Sequence, residues 1–574
     1  MYTNNPRKTI AIIQARMGST RLPNKIMMEI GGKPIVEHAL SILQRCKRID
    51  KICLATSKDQ KNKVLENVTQ KLGVNIHFGS EDNVLERFND IVENLNPEFV
   101  NIVRVCADSP FLDYEEIDNL IEAHEKEGCD LSTNYYHLEG LPCGAEVISR
   151  KAFKESVQLA KTDEHREHLD EWILQHPDKY KILQVSVPKE KRSFRISFAI
   201  DTQDDFDFMK TIVDMTTPVN NGYYKTEDLL STLRANPEII LKKRLKIFVR
   251  ADGDGEIGMG HIYRGITICE SLREMLPKVE ILFFSNEEAR NFLNEYGYSS
   301  LPAEKIKESI IKEDPDIIVT DLRKYLDDTS SERFGKSLRV RFIDSEKERN
   351  VRGDLIINSF PINFSNTKSN YYSGLNYMPL RKGFEDVSTK IVEDVKEILV
   401  LLGGGDQCFQ ILKLKEVIEK FPEQNFTLVL GPGISEQNRK EVIETYQSVD
   451  NTTILHNVKE IKELMIKADI GISGGGNVLY EFARCGVPTL CLTASYDFNH
   501  DDHQQFFAKA FEDARVSIYL GHKNEWTISK AEEKLRNLIL NTETRREMSK
   551  KGQQLIDGKA TTKICQLIIK SYLK

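Results

Sequence analysis

At 574 residues the chain is longer than one hydrophobic core organises, so several domains are expected. Apolar content of 40% and charged content of 29% are those of a globular protein, and a net charge of −8 excludes the basic face of a nucleic-acid binder. No window approaches the roughly 20 apolar residues of a membrane span, and the ten cysteines form no Cys-x-x-Cys pair, which excludes a zinc ribbon or disulfide framework.

With no signal-peptide pattern at the N-terminus, a reducing cytoplasm and no membrane partner are expected. Short β-branched runs then alternate with amphipathic stretches, the pattern of an α/β fold. Strands are predicted over 9–13, 51–56, 74–77, 99–105 and 195–200, and helices over 34–46, 60–72, 84–95, 114–126 and 204–214. The pattern restarts at Leu245-Lys-Ile-Phe-Val-Arg250, which puts a boundary near 243 and domains at 1–243 and 244–574. The second part divides again. Strands at 245–250, 279–284, 317–320, 340–343 and 355–358 belong to a subdomain of about 245–390. Those at 397–402, 427–430, 453–455, 470–473 and 488–492 belong to one of about 391–574, closed by helices from 526 onward. Two Rossmann-like halves facing a cleft place ligands at the carboxyl ends of their strands.

The first strand opens into Gln14-Ala-Arg-Met-Gly-Ser-Thr-Arg-Leu-Pro-Asn-Lys25. Backbone N–H groups of a loop with Ala15, Gly18 and Ser19 are free to face an anion, and Arg16, Arg21 and Lys25 add fixed positive charge for a polyphosphate. The spacing is not that of a Walker loop. Asp108 and Asp201 each follow an apolar strand, where single carboxylates beside phosphates hold Mg²⁺; the alternative for either alone is a helix N-cap. Thr56 and Ser57, at a strand end, are candidates to face a base, and Arg166 and His168, on a helix, to reach a sugar carboxylate.

These segments, with Gly31-Gly-Lys-Pro34, Gly79-Ser-Glu-Asp82, Ala107-Asp-Ser-Pro110, Arg166-Glu-His168 and Ile200-Asp-Thr202, resemble cytidylyltransferases of the spore-coat-polysaccharide type. Those enzymes are relatives of the ones that make CMP-activated sialic acids and CMP-Kdo. The resemblance implies CTP and an acidic sugar as substrates. It also implies that Arg16 and Lys25 are catalytic, that Gln14 to Lys25 with Thr56 and Ser57 bind CTP, and that Asp108 and Asp201 hold Mg²⁺. Ala-Asp-Ser-Pro replaces the Gly-Asp-Cys-Pro typical of the family, which keeps the carboxylate and leaves sugar preference open.

In the second part Gly258-Met-Gly-His261 lies between a strand and a helix, where glycines admit a ligand and His261 can move a proton. Gly403-Gly-Gly-Asp406 and Gly474-Gly-Gly-Asn-Val-Leu-Tyr-Glu481 follow two further strands; the second is the better diphosphate cradle, with Glu481 expected at a ribose. Together with Arg250-Ala-Asp252, Arg264, Tyr377-Met-Pro-Leu-Arg381 and His503-Gln504 they resemble the pseudaminic-acid-pathway UDP-sugar hydrolase, related in fold to GT-B glycosyltransferases of the murein-lipid type. The resemblance implies His261 as base, aided by Asp252. It also implies a UDP-sugar held by Gly258, Gly260, Arg264, Gly404, Gly475, Gly476, Asn477, Glu481 and Gln504. Asp321 is a further candidate to face the sugar. His500 and His503 have metal-like spacing without a third ligand.

The fold class expected is α/β: a Rossmann-like, GT-A-like nucleotidyltransferase domain fused to a two-subdomain GT-B-like module. The function expected is bifunctional. A nonulosonic acid such as pseudaminic acid is activated by CTP to a CMP-sugar, and UDP-2,4-diacetamido-2,4,6-trideoxy-β-L-altropyranose is hydrolysed to the free sugar and UDP. Two alternatives stay open for the second part: a nucleotide-sugar-dependent glycosyltransferase, or a non-catalytic UDP-sugar-binding module. The oligomeric state is open, a homo-oligomer included.

Overall fold

The computed structural model describes residues 7–135, 139–193, 195–219, 222–256, 258–322, 336–343, 353–360, 370–387, 391–493 and 503–573. The chain divides into two compact units, Met1–Arg244 and Leu245–Tyr572. Among the described residues no helix is long and apolar enough to cross a membrane.

In the first unit β1 (Lys8–Gln14) buries all five of its central residues, so it belongs inside a sheet covered on both faces. It pairs in parallel with β4 (Lys51–Ser57) and with β6 (Phe99–Cys106), while β2 (Glu29–Ile30) and β3 (Lys33–Pro34) form a separate antiparallel pair. Four more strands, β5 (Asn75–Gly79), β7 (Leu131–Thr133), β8 (Glu146–Ser149) and β9 (Ile182–Gln184), complete the order β5-β4-β1-β6-β8-β7-β9. Ile10, Ile12, Ala55 and Ile102 pack there with Phe88 and Phe153.

The strand expected over 195–200 is corrected. Ile196, Phe198 and Ile200 are fully buried, so the alternation is real, but the segment joins no ladder. Phe198 N–H donates to the Pro142 carbonyl and Ile200 N–H to that of Asp108. These single bonds to loops deliver Asp201 to the side of the sheet where Asp108 emerges. The helix expected over 60–72 begins as a 3₁₀ turn, Gln60–Lys63, before Val64–Leu72.

The second unit carries two parallel sheets, the two halves of a GT-B-like module. The first consists of β10 (Leu245–Ala251), β11 (Val279–Ser285), β12 (Ser300–Pro302), β13 (Ile317–Asp321), β14 (Leu338–Ile343), β15 (Leu355–Asn358) and β16 (Tyr371–Ser373), in the order β12-β11-β10-β13-β14-β15-β16. The second consists of β17 (Glu397–Leu401), β18 (Asn425–Leu430), β19 (Thr452–His456), β20 (Ile470–Ser473), β21 (Thr489–Thr493) and β22 (Ser517–His522), in the order β19-β18-β17-β20-β21-β22.

The last helix, Ala560–Tyr572, returns to the first of these halves. Cys565 Sγ lies 3.8 Å from the Ile268 carbonyl oxygen, and the Tyr572 hydroxyl donates to Asp316 at 2.5 Å. Thr561 exchanges hydrogen bonds with the Leu380 backbone.

Candidate functional site

In each large sheet the first strand lies inside and the order reverses beside it. Loops leaving the two strands at that reversal diverge and open a crevice. The reversals fall between β1 and β6, between β10 and β13, and between β17 and β20.

At the first, a cavity of about 410 Å³ is bordered by Gln14, Ala15, Arg16, Gly18 and Ser19 from the loop after β1. Arg21, Lys25, Asp108 and Asp201 complete that side. Lys25 donates to Asp108 at 2.8 Å and to Asp201 at 2.9 Å, and Arg21 lies 3.2 Å from Asp201. Burial works against the Lys25 ammonium, yet the two carboxylates outweigh it and raise its pKa. Among the described residues no three of His, Cys, Asp and Glu gather as a metal group. Two carboxylates do converge here, and Mg²⁺ needs only one or two when phosphates supply further oxygens.

Two sets of expected ligands are corrected. Thr56 and Ser57 are fully buried, so neither lies open to a base. Ser57 accepts from Asn62 Nδ2 at 2.6 Å, and Asn62 Oδ1 accepts from Met17 N–H at 2.7 Å. Asn62, which the sequence does not mark, thereby ties the cationic loop to the end of β4. Arg166 and His168 are exposed and outside the cavity lining; Arg166 pairs with Asp163 one helical turn away, and the intervening Glu167 lines the cavity instead.

Behind Gln14 lies a buried ionic cluster. Arg104 donates to both Glu146 oxygens at 3.0 Å and to Gln14 Oε1 at 3.3 Å, and the Tyr135 hydroxyl donates to Glu146 at 2.5 Å. Burial and then Glu146 push the Asp170 carboxyl up to about 7, with Arg104 opposing.

In the second unit β10 and β13 are neighbours, with Ala251 opposite Asp321. His261 enters the helix Gly260–Met275 just beyond, and its Nδ1 lies 2.7 Å from Asp321 Oδ1. Arg264, one turn along, donates to Asp321 from Nε at 2.5 Å and from Nη2 at 2.6 Å. Burial pushes Asp321 up, but Arg264 and then His261 prevail and hold it down at about 2. Asp321, held ionised by Arg264, accepts from Nδ1 in the tautomer that leaves Nε2 as the basic atom; Arg264 Nη2 also lies 3.1 Å from Nδ1. Nε2 has no hydrogen-bond partner among the described residues.

Three expectations change here. The carboxylate on His261 is Asp321, not Asp252: Asp252 is held by both Arg250 amino groups at 2.7 and 2.8 Å and by Asn286 N–H. Arg264 is buried behind Asp321, which it holds through Nε and Nη2. Glu481 is buried too, gripped by Arg381 at 2.7 and 2.6 Å, and the guanidinium fork takes both oxygens expected at the ribose. Arg381 in turn lies 5.3 Å over the Tyr263 ring, which ties the helix Asn477–Cys485 to Gly260–Met275.

The glycine segments meet across the two halves. Asp406 N–H donates to the Gly255 carbonyl at 3.0 Å and Asn477 Nδ2 to that of Gly260 at 3.5 Å, while within the second half Gly433 N–H donates to the Gly404 carbonyl at 2.9 Å. Gly258 adopts φ +77° in the turn before His261. Gly476 caps the helix Asn477–Cys485, and Gly475 lies against the backbone of Gln504. A side chain at Gly474 would run into the Leu402 carbonyl oxygen. Two helix starts therefore border one crevice, an arrangement that favours an anion. His500, Asp501, Asp502 and the His503 side chain lie outside the described residues.

Residues 10–244 match the family described as Cytidylyltransferase, and residues 398–563 that described as Glycosyltransferase family 28 C-terminal domain. Spore coat polysaccharide biosynthesis protein SpsF of Bacillus subtilis is 30% identical over 234 residues, which cover 40% of this chain and 94% of SpsF. Uncharacterized protein MJ1063 of Methanocaldococcus jannaschii is 33% identical over 232 residues, covering 40% of this chain and 93% of that protein. Spore coat polysaccharide biosynthesis protein SpsG of Bacillus subtilis is 26% identical over 355 residues, covering 56% of this chain and 98% of SpsG. Through its first unit, the chain belongs to the cytidylyltransferase family.

Proposed function

We propose that the chain is a bifunctional enzyme that prepares an activated acidic sugar for polysaccharide synthesis. The first unit transfers CMP from CTP to a nonulosonic acid, pseudaminic acid or a near relative, and releases pyrophosphate. The observation that carries this reading is one cavity bordered by Arg16, Arg21 and Lys25 together with Asp108 and Asp201. In-line attack of the sugar hydroxyl on the α-phosphate needs little covalent help and much charge stabilisation. Arg16 and Arg21 neutralise the triphosphate, while Lys25 follows the charge that builds on departing pyrophosphate.

The site fits Mg²⁺, because Lys25 already draws Asp108 and Asp201 to one point and both carboxylates keep further lone pairs. These two residues would hold the ion, which supplies Lewis-acid polarisation of the phosphates when bound.

For the second unit the proposed reaction is hydrolysis of a UDP-2,4-diacetamido-2,4,6-trideoxy hexose. His261 Nε2 takes a proton from the attacking water, with Asp321 fixing the tautomer, and the helix starts at Gly260 and Asn477 stabilise the leaving UDP. The family-28 match over 398–563 favours a second reading, in which the same histidine deprotonates an acceptor hydroxyl for glycosyl transfer.

Mass spectrometry of products tests both halves. CTP with a panel of nonulosonic acids is expected to give a CMP-sugar. A diacetamido-trideoxy UDP-hexose in water alone is expected to give UDP and free sugar. UDP release that demands an added acceptor selects the transferase reading, and no CMP-sugar from any acid overturns the first assignment.

A further inference from the structure

We infer that Arg87 is an anion-binding residue of the first cavity, donating from Nη1 to an oxyanion of the substrates. The inference rests on the cytidylyltransferase reading of that unit and goes beyond the Arg16–Lys25 loop.

Arg87 lies in the first turns of the helix Val84–Glu93 and forms part of the cavity wall. It is 1% exposed. Its stem fills the space above Gly79, where an added Cβ would come within 2.8 Å of Arg87 Cγ and 3.3 Å of its Cα. Only glycine at the end of β5 leaves room for the side chain in this place. The fork is then oriented by two backbone carbonyls: Nε donates to Ser80 at 2.9 Å and Nη2 to Glu81 at 3.1 Å.

The remaining amino group, Nη1, has no partner among the described residues, and no carboxylate of theirs pairs with the guanidinium. The carboxylates of Glu81 and Glu167 favour its charge without pairing with it, and a guanidinium does not escape burial by losing its proton. Burial and then the neighbouring Arg16 pull the Arg87 pKa down, against a smaller opposing effect of Glu81 and Glu167. A purely structural arginine, placed to tie down residues 79–83, would gain from a carboxylate partner and not from a second arginine. Arg16, itself 3.8 Å from Glu167, lines the same cavity, and an oxyanion between the two guanidiniums would accept from the open Nη1. Two sources carry that chemistry, the phosphate chain of CTP and the carboxylate of the sugar acid.

Isothermal titration of the full chain distinguishes them, with CTP, inorganic tripolyphosphate and N-acetylneuraminic acid as probes. Arg87→Met keeps the stem against Gly79 and removes the fork. Arg48→Met, at an outlying arginine paired with Glu122, controls for loss of one positive charge. The expected result is affinity for CTP and tripolyphosphate weakened about tenfold or more in Arg87→Met and unchanged in Arg48→Met. Weakening confined to N-acetylneuraminic acid assigns Arg87 to the carboxylate and upholds the inference equally. If Arg87→Met melts earlier than the wild type, Arg87→Lys is read in its place, since it retains charge without the fork and is expected to bind with intermediate affinity. Wild-type affinity of the folded variant for all three probes overturns the inference while leaving the cytidylyltransferase reading intact. A wild-type protein that binds none of the probes overturns both.

Discussion

The two candidate sites present positive electrostatics by opposite means. In the first, cationic side chains border the cavity directly, and Lys25 is held between two carboxylates. In the second, the charged side chains are buried and already matched, Arg264 with Asp321 and Arg381 with Glu481, while backbone at glycines and helix starts forms the crevice. Under the proposed function, a triphosphate that must be neutralised and cleaved calls for full positive charge on side chains. A diphosphate that only departs is served by fixed dipoles. The difference separates residues whose loss abolishes chemistry from residues whose loss unfolds a scaffold.

Single substitutions in the reacting groups break the comparison most sharply. His261→Ala is expected to lower UDP release about 10²–10⁴-fold and leave CMP transfer unchanged. Lys25→Ala is expected to lower CMP transfer about 10²–10³-fold and leave UDP release unchanged. Pyrophosphate and UDP measured in one preparation read both, and a joint loss from either change contradicts separate sites. Chelation by EDTA sharpens the same contrast: with Mg²⁺ at the proposed site, CMP transfer is expected to stop and UDP release to persist.

The buried pairs should respond in stability. Asp321→Ala leaves Arg264 buried without its counter-charge and is expected to destabilise the second unit by about 3–5 kcal/mol, read from the denaturant midpoint. Gly474→Ala forces backbone near Leu402 to move, with an expected loss of about 1–3 kcal/mol and weaker UDP binding.

The smallest effect is a pH slope in the first unit. Folded Asp170 keeps its proton to about pH 7, whereas the unfolded chain loses it near the ordinary 3.8. Between those values the unfolded state binds fewer protons, so stability falls as pH rises from about 4 to about 7. The melting temperature of the first unit should drop from pH 5 to pH 8, and Asp170→Asn should flatten the slope.

What the sequence discloses follows the same division. The cationic loop is legible because its charges lie within ten residues of one another and directly behind an apolar strand. Asp108 is legible for the same reason. Asp321 is harder to rank, since it meets His261 across 60 residues and only because β10 and β13 pair. Asp252, Glu481 and Arg264 share one ambiguity: a carboxylate or guanidinium near a glycine loop reads as a ligand until its partner within the protein is known. Arg250, Arg381 and Asp321 are those partners. Thr56 and Ser57 mislead differently, because a hydroxyl at a strand end looks available while Asn62 claims Ser57. Among the strands, the central ones are evident from continuous apolar runs. Edges such as Ile182–Gln184 and Ser300–Pro302 are three residues long, too short for alternation to declare them.

The C-terminal helix has a consequence for how such enzymes diversify. Ala560–Tyr572 is the last helix of the chain, yet it rests against Ile268 and Asp316 of the opposite half. A hybrid made by joining two relatives only near residue 391 would set one parent's terminal helix on the other parent's surface. Recombination that preserves this seam needs a paired crossover, one mid-chain and one close to 560, so the second unit is inherited in three blocks instead of two.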